Sequence, residues 1–188
     1  MPKISGMPSP VRGRLLPEQS TRMACDVRQM SLQPFLSVRA LVLLIVANST
    51  PVILSRTLGG HVAAPIDGGL RLQDGTAVLG AHKTWRGMVG GSLAAGVAGT
   101  LLGWGFIRSA TFGALALLGD LLSSFVKRRF GLTAGRWMPL LDQLPEALLP
   151  MLVLRSRVDL TVGSIVGTAA AFTVIALAAA WVSTRNLT

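Results

Sequence analysis

The chain has 188 residues, of which 51% are hydrophobic and only 14% are charged, and its mean hydropathy is +0.57. These values are too apolar for an ordinary soluble domain of this size, so the composition predicts an integral membrane protein. The formal net charge of +10 would suggest nucleic-acid binding in a soluble chain. Here the basic residues fall mostly between apolar runs, where membrane topology and anionic headgroups explain them better, and no nucleic-acid partner is expected.

The first segment, 1–34, is polar, rich in Pro, Ser and Arg, and without sustained periodicity. It is therefore predicted to be a disordered basic tail. Met7, Met23 and Met30 are alternative translation starts, so a start-site artefact is the competing explanation. Residues 35–188 are predicted to form a single transmembrane domain.

Five apolar runs follow the tail, which predicts an all-α membrane protein with about five transmembrane helices. The predicted spans are 35–54, 88–107, 109–126, 139–154 and 160–182. The third span contains Asp120, and the fourth contains Asp142 and Glu146. Because a carboxylate at the centre of a membrane helix is unfavourable by roughly 2.5 to 3.5 kcal/mol, these three residues indicate function.

Small residues recur every four positions in two of the spans. The two series are Gly91, Ala95, Gly99 and Gly103, and Gly163, Gly167 and Ala171. Such spacing places each series on one helix face, where helix backbones approach closely. Packing within one bundle and a homodimer face explain each series equally well, so either a monomer or a homodimer is expected.

An odd number of spans would put the loop 55–87, the loop 127–138 and the C-terminus on one side of the membrane. Most basic residues of the membrane domain lie on that side, which the positive-inside rule predicts to be cytoplasmic. Arg22 and Arg28 favour a cytoplasmic N-terminus instead, so the orientation of the first span stays open.

The loop 55–87 combines glycines with basic residues at the start of a predicted helix. Its relevant segments are Ala64-Pro65-Ile66-Asp67-Gly68-Gly69, Asp74-Gly75 and Leu79-Gly80-Ala81-His82-Lys83-Thr84-Trp85-Arg86-Gly87. Glycines allow backbone N–H groups to converge on an anion, and Lys83 and Arg86 add two charges, so the loop is predicted to cradle a triphosphate. It does not match a Walker A loop. A glycine-rich turn with topology-determining charge is the alternative.

The acidic residues of the third and fourth spans form the complementary set. Mg²⁺ commonly uses one or two protein carboxylates, while phosphates and waters complete its octahedron. Asp120 and Asp142 fit that need and are predicted to bind the cation. A structural ion pair, for example between Asp120 and Arg39, is the alternative.

The third span ends in Lys127, Arg128 and Arg129, and Lys127 continues the helix face of Asp120 and Ser124. Guanidinium groups suit bidentate contact with phosphate, whereas lysine acts as a point charge. The two arginines are therefore predicted to hold a lipid phosphate, with Lys127 reaching nucleotide phosphates. The alternative is that the cluster only marks the end of a membrane span, which is the commoner role of such basic residues.

Six motifs occur in order along the chain. They are Pro65-x-Asp67-Gly68-Gly69, Asp74-Gly75, Leu79-Gly80-x-x-Lys83-Thr84-Trp85-Arg86-Gly87, Gly119-Asp120, Ser124-Phe125-x-Lys127-Arg128-Arg129 and Pro139-x-x-Asp142-Gln143. As a set they resemble the CDP-archaeol synthase family, the short branch of the CTP-dependent lipid-phosphate cytidylyltransferases. The resemblance covers roughly residues 35–184.

The resemblance implies a multi-pass nucleotidyltransferase of phospholipid biosynthesis in the cell membrane, with its active site facing the cytoplasm. CTP and a lipid phosphate, similar to 2,3-bis-O-(geranylgeranyl)-sn-glycerol 1-phosphate or to phosphatidate, would give a CDP-lipid and pyrophosphate with Mg²⁺ as cofactor. Asp120, Asp142 and Lys127 are the implied catalytic residues, and both aspartates are the implied metal ligands. The implied CTP-binding residues are Asp67, Gly68, Gly80, Lys83, Thr84 and Arg86. The implied lipid-phosphate residues are Ser124, Arg128 and Arg129.

The chain departs from the family pattern after Asp142. The pattern has an acidic residue three positions later, where this chain has Pro145, and Glu146 follows one position further on. Glu146 therefore matches the family's acidic residue less well than Asp142 matches its own position, and its role stays open. The additional Lys-Asp and His-Gly-Gly elements of the longer diacyl enzymes are absent after Arg129, which favours the short branch.

Two other functions compete with the enzyme. A small cation or proton transporter would use Asp120, Asp142 and Glu146 as an intramembrane path, but it needs polar access on both membrane sides. A catalytically silent assembly factor would use the small-residue series and would leave the loop glycines and Lys83 unexplained.

Overall fold

The computed structural model describes residues 17–61, 63–73, 75–130 and 139–185. Its helices are α1 (Pro17–Leu58), α2 (Trp85–Leu101), α3 (Phe106–Arg129), α4 (Pro139–Val153), α5 (Arg155–Val158) and α6 (Val162–Arg185). No β-strand occurs in these ranges, which agrees with the predicted all-α class. Asp74 of the second motif lies outside the described residues.

The chain divides into two units, Met1–Leu32 and Gln33–Thr188. Residues 1–16 of the segment 1–34 predicted to be disordered lie outside the described residues, and the remainder differs from that prediction because the backbone is helical from Pro17 onward. Proline suits the first turn of a helix, and a segment that continues an existing helix avoids the cost of nucleation. Polar composition alone therefore misses this extension.

Three helical stretches in the described ranges are long and apolar enough to cross a membrane, namely Ser31–Leu58, Phe106–Arg129 and Val162–Val182. They correspond to the first, third and fifth predicted spans. α2 has 17 residues and α4 has 15. At 1.5 Å per residue these helices are about 26 and 23 Å long, against a hydrocarbon core of about 30 Å. Complete crossings by α2 and α4 stay predictions.

The second predicted span, 88–107, extends beyond the C-terminal end of the helix in the structure. α2 stops at Leu101, and α3 begins at Phe106. Between them Gly103 and Gly105 have φ angles of 78° and 80°, a left-handed conformation that breaks the helix and strongly favours glycine. Hydropathy cannot detect this turn because the residues around it are as apolar as a helix interior.

The core lies where α1, α3, α4 and α6 meet. Its large buried side chains include Leu43, Leu44, Phe112, Met151 and Phe172. α3 packs extensively against both α2 and α4, and α4 in turn packs against α6. Helix α3 is therefore central in the second unit, and its polar residues are held by neighbours on two sides.

The small residues of α2 form a packing surface within the chain. A Cβ atom at Gly91 would lie 2.7 Å from the Ala47 carbonyl oxygen, and one at Gly99 would lie 1.8 Å from Ser109 Oγ. The α6 series differs, since no heavy atom lies within 4 Å of a Cβ placed at Gly167. The interpretation as a seam within the bundle is thus confirmed for α2.

The loop between α1 and α2 folds back on itself. Ile66 N–H donates to the Lys83 carbonyl at 2.8 Å, and Trp85 N–H donates to the Ala64 carbonyl at 3.0 Å. Thr84 is the N-cap of α2, where its hydroxyl accepts a hydrogen bond from Gly87 N–H at 3.2 Å. These hydrogen bonds therefore fix the position of the loop relative to the start of α2.

Asp67 holds the shape of this loop. Its carboxylate accepts hydrogen bonds from the backbone N–H groups of Leu79 at 2.9 Å, Gly69 at 3.0 Å and Gly80 at 3.1 Å. The bond from Leu79 is the main cause that lowers the pKa of Asp67, and it outweighs the desolvation that raises it. The ionised carboxylate therefore organises the loop from within.

We expect Gly119→Ala to destabilise the bundle by about 1 to 3 kcal/mol, because a Cβ there would lie 2.3 Å from the Pro145 carbonyl oxygen. Gly167→Ala is the matched control, since its Cβ would enter open space in another helix. Thermal unfolding in detergent measures both. Equal unfolding temperatures for the two variants would contradict the close approach of α3 and α4.

We expect Asp67→Asn to loosen the loop at neutral pH, because an amide offers one oxygen where the carboxylate uses two. Hydrogen exchange at the Leu79 and Gly80 amides should accelerate in the variant. The lowered pKa means that this stabilisation exists above the unfolded-state pKa of about 3.9 and disappears as pH falls through the folded-state value. Unchanged protection of both amides at pH 7 would rule out this role.

Candidate active site

A cavity of about 420 Å³ lies between α1, the loop, α2, α3 and α4. Its volume falls within the range of about 300 to 1,000 Å³ that small-molecule sites occupy. The polar side chains on its wall include Asn48, Ser55, His82, Lys83, Thr84, Arg86, Asp120 and Glu146. Three predicted CTP-binding residues from the loop thus share one cavity with an acidic residue of a membrane helix.

Asp120 forms an ion pair with Lys83 across this cavity. The two side chains are half-buried, with 25% of Asp120 and 15% of Lys83 exposed. Asp120 therefore does form an ion pair, as the alternative explanation expected, but its partner is Lys83 and not Arg39, the example given. The contact joins the loop to the middle helix of the bundle.

Asp142, the other predicted metal ligand, forms an ion pair with Lys127. This pair is also half-buried and joins α3 to α4. In the part of the chain that the structure describes, the cavity wall includes Asp120 but neither Asp142 nor Lys127. The second pair therefore lies beside the cavity rather than in its wall.

Glu146 lies in the candidate site although it is one position away from the acidic residue of the family pattern. It is buried on the cavity wall, and its carboxyl group contacts that of Asp120. The charges of Lys83 and Asp142 also act on the Glu146 carboxyl group. The sequence feature that could have identified Glu146 is its position four residues after Asp142, because this spacing puts both side chains on one face of α4.

Arg86 links the cavity to the end of α1. Its Nη2 donates to the Gly59 carbonyl at 3.1 Å, and its Nη1 donates to the His61 carbonyl. Its Nε is buried and has no hydrogen-bond partner among the described residues. A phosphate oxygen would satisfy that donor.

Three predicted CTP-binding residues shape the loop instead of contributing side chains to the wall. Asp67 is engaged by backbone N–H groups, as described above. Gly68 and Gly80 have φ angles of 60° and 105°. A Cβ atom at Gly80 would lie 3.1 Å from the His82 ring and 3.3 Å from the Arg128 guanidinium. Glycine there lets the loop approach α3.

His82 is a cavity residue that was not among the predicted site residues. Partial burial lowers the pKa of its imidazole, and the positive charge of Lys83 lowers it further. The ring is therefore neutral at pH 7. It adds a hydrogen-bond donor and acceptor to the wall without adding charge.

The arginines predicted to bind a lipid phosphate lie where α3 meets the loop. Arg129 Nη2 donates to Thr76 Oγ1 at 2.8 Å, and its guanidinium lies 5.5 Å from the Phe125 ring centroid. Arg128 approaches Gly80, and Ser124 is buried within α3. The basic cluster thus contacts the loop in addition to ending a helix.

The described residues contain no group of three His, Cys, Asp or Glu side chains arranged to hold a metal ion alone. A preformed metal cage is therefore not present in these ranges. Mg²⁺ usually binds through one or two carboxylates together with substrate phosphates and waters. Asp120 and Glu146 on the cavity wall offer carboxylates of this kind, and cation binding by Asp120 and Asp142 stays a prediction.

A family model described as CarS-like CDP-archaeol synthase matches residues 35–105 and 103–185. The CDP-archaeol synthase of Hyperthermus butylicus is 40% identical over 119 residues, covering 60% of this chain and 68% of the relative. That of Thermococcus gammatolerans is 41% identical over 113 residues, covering 52% and 60%. That of Aeropyrum pernix is 41% identical over 105 residues, covering 53% and 57%. The chain thus spans less than two thirds of the last two relatives.

A solved structure is also similar. It is described as an intramembrane enzyme for archaeal membrane lipids biosynthesis, with a TM-score of 0.65 and 34% sequence identity. The match covers 76% of this chain and 90% of that chain. The fold of this chain is therefore that of a membrane-embedded enzyme.

The family model covers nearly all of the chain after the tail, including both ion pairs and the loop that faces them. Members of the matched family are CTP-dependent cytidylyltransferases, which makes the enzyme class the supported one and disfavours the transporter. The chain belongs to the CDP-archaeol synthase family.

Proposed function

We propose that this chain transfers the cytidylyl group of CTP to a membrane lipid phosphate, giving a CDP-lipid and pyrophosphate. The observation that carries the proposal is the Lys83–Asp120 pair in the cavity. The pair brings the loop predicted to bind a triphosphate into contact with an acidic residue of a membrane helix. An enzyme that joins a nucleotide to a lipid needs a nucleotide site and a membrane-embedded site next to each other.

The lipid phosphate is the nucleophile. A phosphate monoester is mostly ionised at neutral pH, because its second pKa is about 6, so no general base is required. One of its oxygens attacks the α-phosphorus of CTP, and the bond from that phosphorus to the β-phosphate oxygen breaks. Pyrophosphate leaves in line with the attack. Alignment and charge neutralisation therefore account for most of the catalysis.

The chain's own residues divide this task. Lys83 and the unpartnered Arg86 Nε bind phosphates of CTP in the cavity, and Thr84 fixes the start of α2 beneath them. Asp120 and Asp142 would hold Mg²⁺, which would neutralise phosphate charge. Lys127 reaches the nucleotide phosphates from the C-terminal turn of α3.

The lipid approaches along the outer face of α3. Leu118, Leu122 and Phe125 are exposed on that helix, and at helical spacing they lead toward Arg129. Arg128 and Arg129 of the basic cluster receive the phosphate, whereas Ser124, predicted for the same role, is buried within α3. The tails stay in the bilayer while the headgroup reaches the loop, and both isoprenoid and acyl tails suit this arrangement.

The proposed location is the cell membrane, with the site on the cytoplasmic side, where CTP is available. The basic residues of the loops around the site support this orientation through the positive-inside rule. CTP, a lipid phosphate and the bilayer are the proposed partners. Either a monomer or a homodimer is compatible with the site, because all its proposed residues come from one chain.

Purified protein in detergent, supplied with radiolabelled CTP and a panel of isoprenoid and acyl lipid phosphates, should form a CDP-lipid that depends on Mg²⁺. Asp120→Asn and Asp142→Asn should each lower turnover by about a hundredfold or more, because the charge that positions the cation is lost. Both variants should still elute as folded protein.

The transporter alternative makes the opposite forecast for the same preparation. Absence of any CDP-lipid, together with proton or cation flux in liposomes, would overturn the proposed function. Full activity in one aspartate variant would remove only that carboxylate from the proposed metal site.

Arg129→Gln should raise the KM for the lipid phosphate several-fold more than it lowers kcat, because it removes a positive charge from the headgroup site. Thr76→Val is the matched control, since it removes the hydroxyl that accepts from Arg129 but keeps the charge. Steady-state kinetics with varied lipid separate the two effects. If Thr76→Val reproduces the whole change, Arg129 acts by holding the loop.

A further inference from the structure

Both carboxylates assigned to the cation are already in contact with an ammonium group. Lys83 contacts Asp120, and Lys127 contacts Asp142. In each pair the acid and the lysine come from different elements, so the contacts arise from tertiary packing. All four side chains are between 15% and 25% exposed. Such partly buried pairs interact more strongly than pairs in bulk water.

A divalent cation that enters alone meets an electrostatic conflict. It must displace an ammonium from each carboxylate, and the displaced lysines then stay near a dication with nothing to neutralise them. A nucleotide that enters alone meets the opposite conflict. When the lysines bind its phosphates, the two partly buried carboxylates lose their positive partners. Removing one partner of such a pair is costly in either direction.

Entry of both ligands together resolves the conflict. Each lysine then exchanges a carboxylate for a phosphate, and each carboxylate exchanges an ammonium for the cation. Each lysine can move its charge from one partner to the other because it carries that charge on a flexible four-carbon stem. Lys83, Lys127, Asp120 and Asp142 then each have a partner of opposite charge.

We propose that Lys83 and Lys127 act as internal competitors of the divalent cation, keeping it from Asp120 and Asp142 until nucleotide phosphates draw the lysines away. The lysines thereby make cation binding depend on nucleotide binding. This inference rests on the proposed function and adds to it an order of assembly for the site.

Mn²⁺ binding to the full chain in detergent, measured by electron paramagnetic resonance without nucleotide, tests the proposal. Lys127→Met should raise the Mn²⁺ affinity at least about fivefold, the lower end of typical coupling between sites. The same variant should bind CTP at least about fivefold more weakly in EDTA. The two effects have opposite signs, whereas damage to the fold would weaken both.

Three further variants make the result specific. Lys127→Arg keeps the positive partner of Asp142 and should leave the Mn²⁺ affinity near that of the wild type. Asp142→Asn added to Lys127→Met should abolish the gain. Arg56→Gln removes an exposed positive charge outside the cavity wall and should change the affinity by less than about twofold.

An unchanged or lower Mn²⁺ affinity in Lys127→Met would overturn the proposal. So would an equal gain in Arg56→Gln, because net charge would then explain the effect. Formation of CDP-lipid by the wild-type preparation separates the two proposals. If product forms and Lys127→Met gains no affinity, the competition is refuted while the proposed function stands.

Discussion

The half-buried ion pair between Lys83 and Asp120 is the contact on which the rest of the site depends. It ties a loop outside the helices to the helix at the centre of the bundle. A charge on either side would be unfavourable without the other, because both side chains are largely removed from solvent. Both residues lie on the wall of the cavity, so the pair holds the loop against α3 where the cavity forms.

The close packing of helices determines which acids can join that pair. At Gly119 the backbone of α3 lies against the Pro145 carbonyl of α4, so the residue before Asp120 has no room for a side chain. This approach brings Glu146 to the Asp120 carboxylate. A bulkier residue at 119 would separate the helices and move the acidic residues of α4 away from those of α3.

The loop contributes order as well as charge. Asp67 gathers three backbone N–H groups, and Thr84 caps α2, so Lys83 projects from a loop fixed at both ends. Arg129 holds the outer part of the same loop through Thr76. Asp67 within the loop and Arg129 of α3 thus both stabilise the loop. This explains why the loop motif contains residues that do not reach the cavity.

The sequence by itself determined the membrane class, the helical fold and the family, because hydropathy, charge and motif order are properties of the chain. It misplaced the end of α2, since the glycine turn at 103 and 105 is apolar, and it missed the helix from Pro17. Only the tertiary structure decided that Lys83, not Arg39, is the partner of Asp120, and that Glu146 lies in the cavity. Both depend on contacts between elements distant in sequence, and such contacts are set by how helices pack rather than by any local pattern.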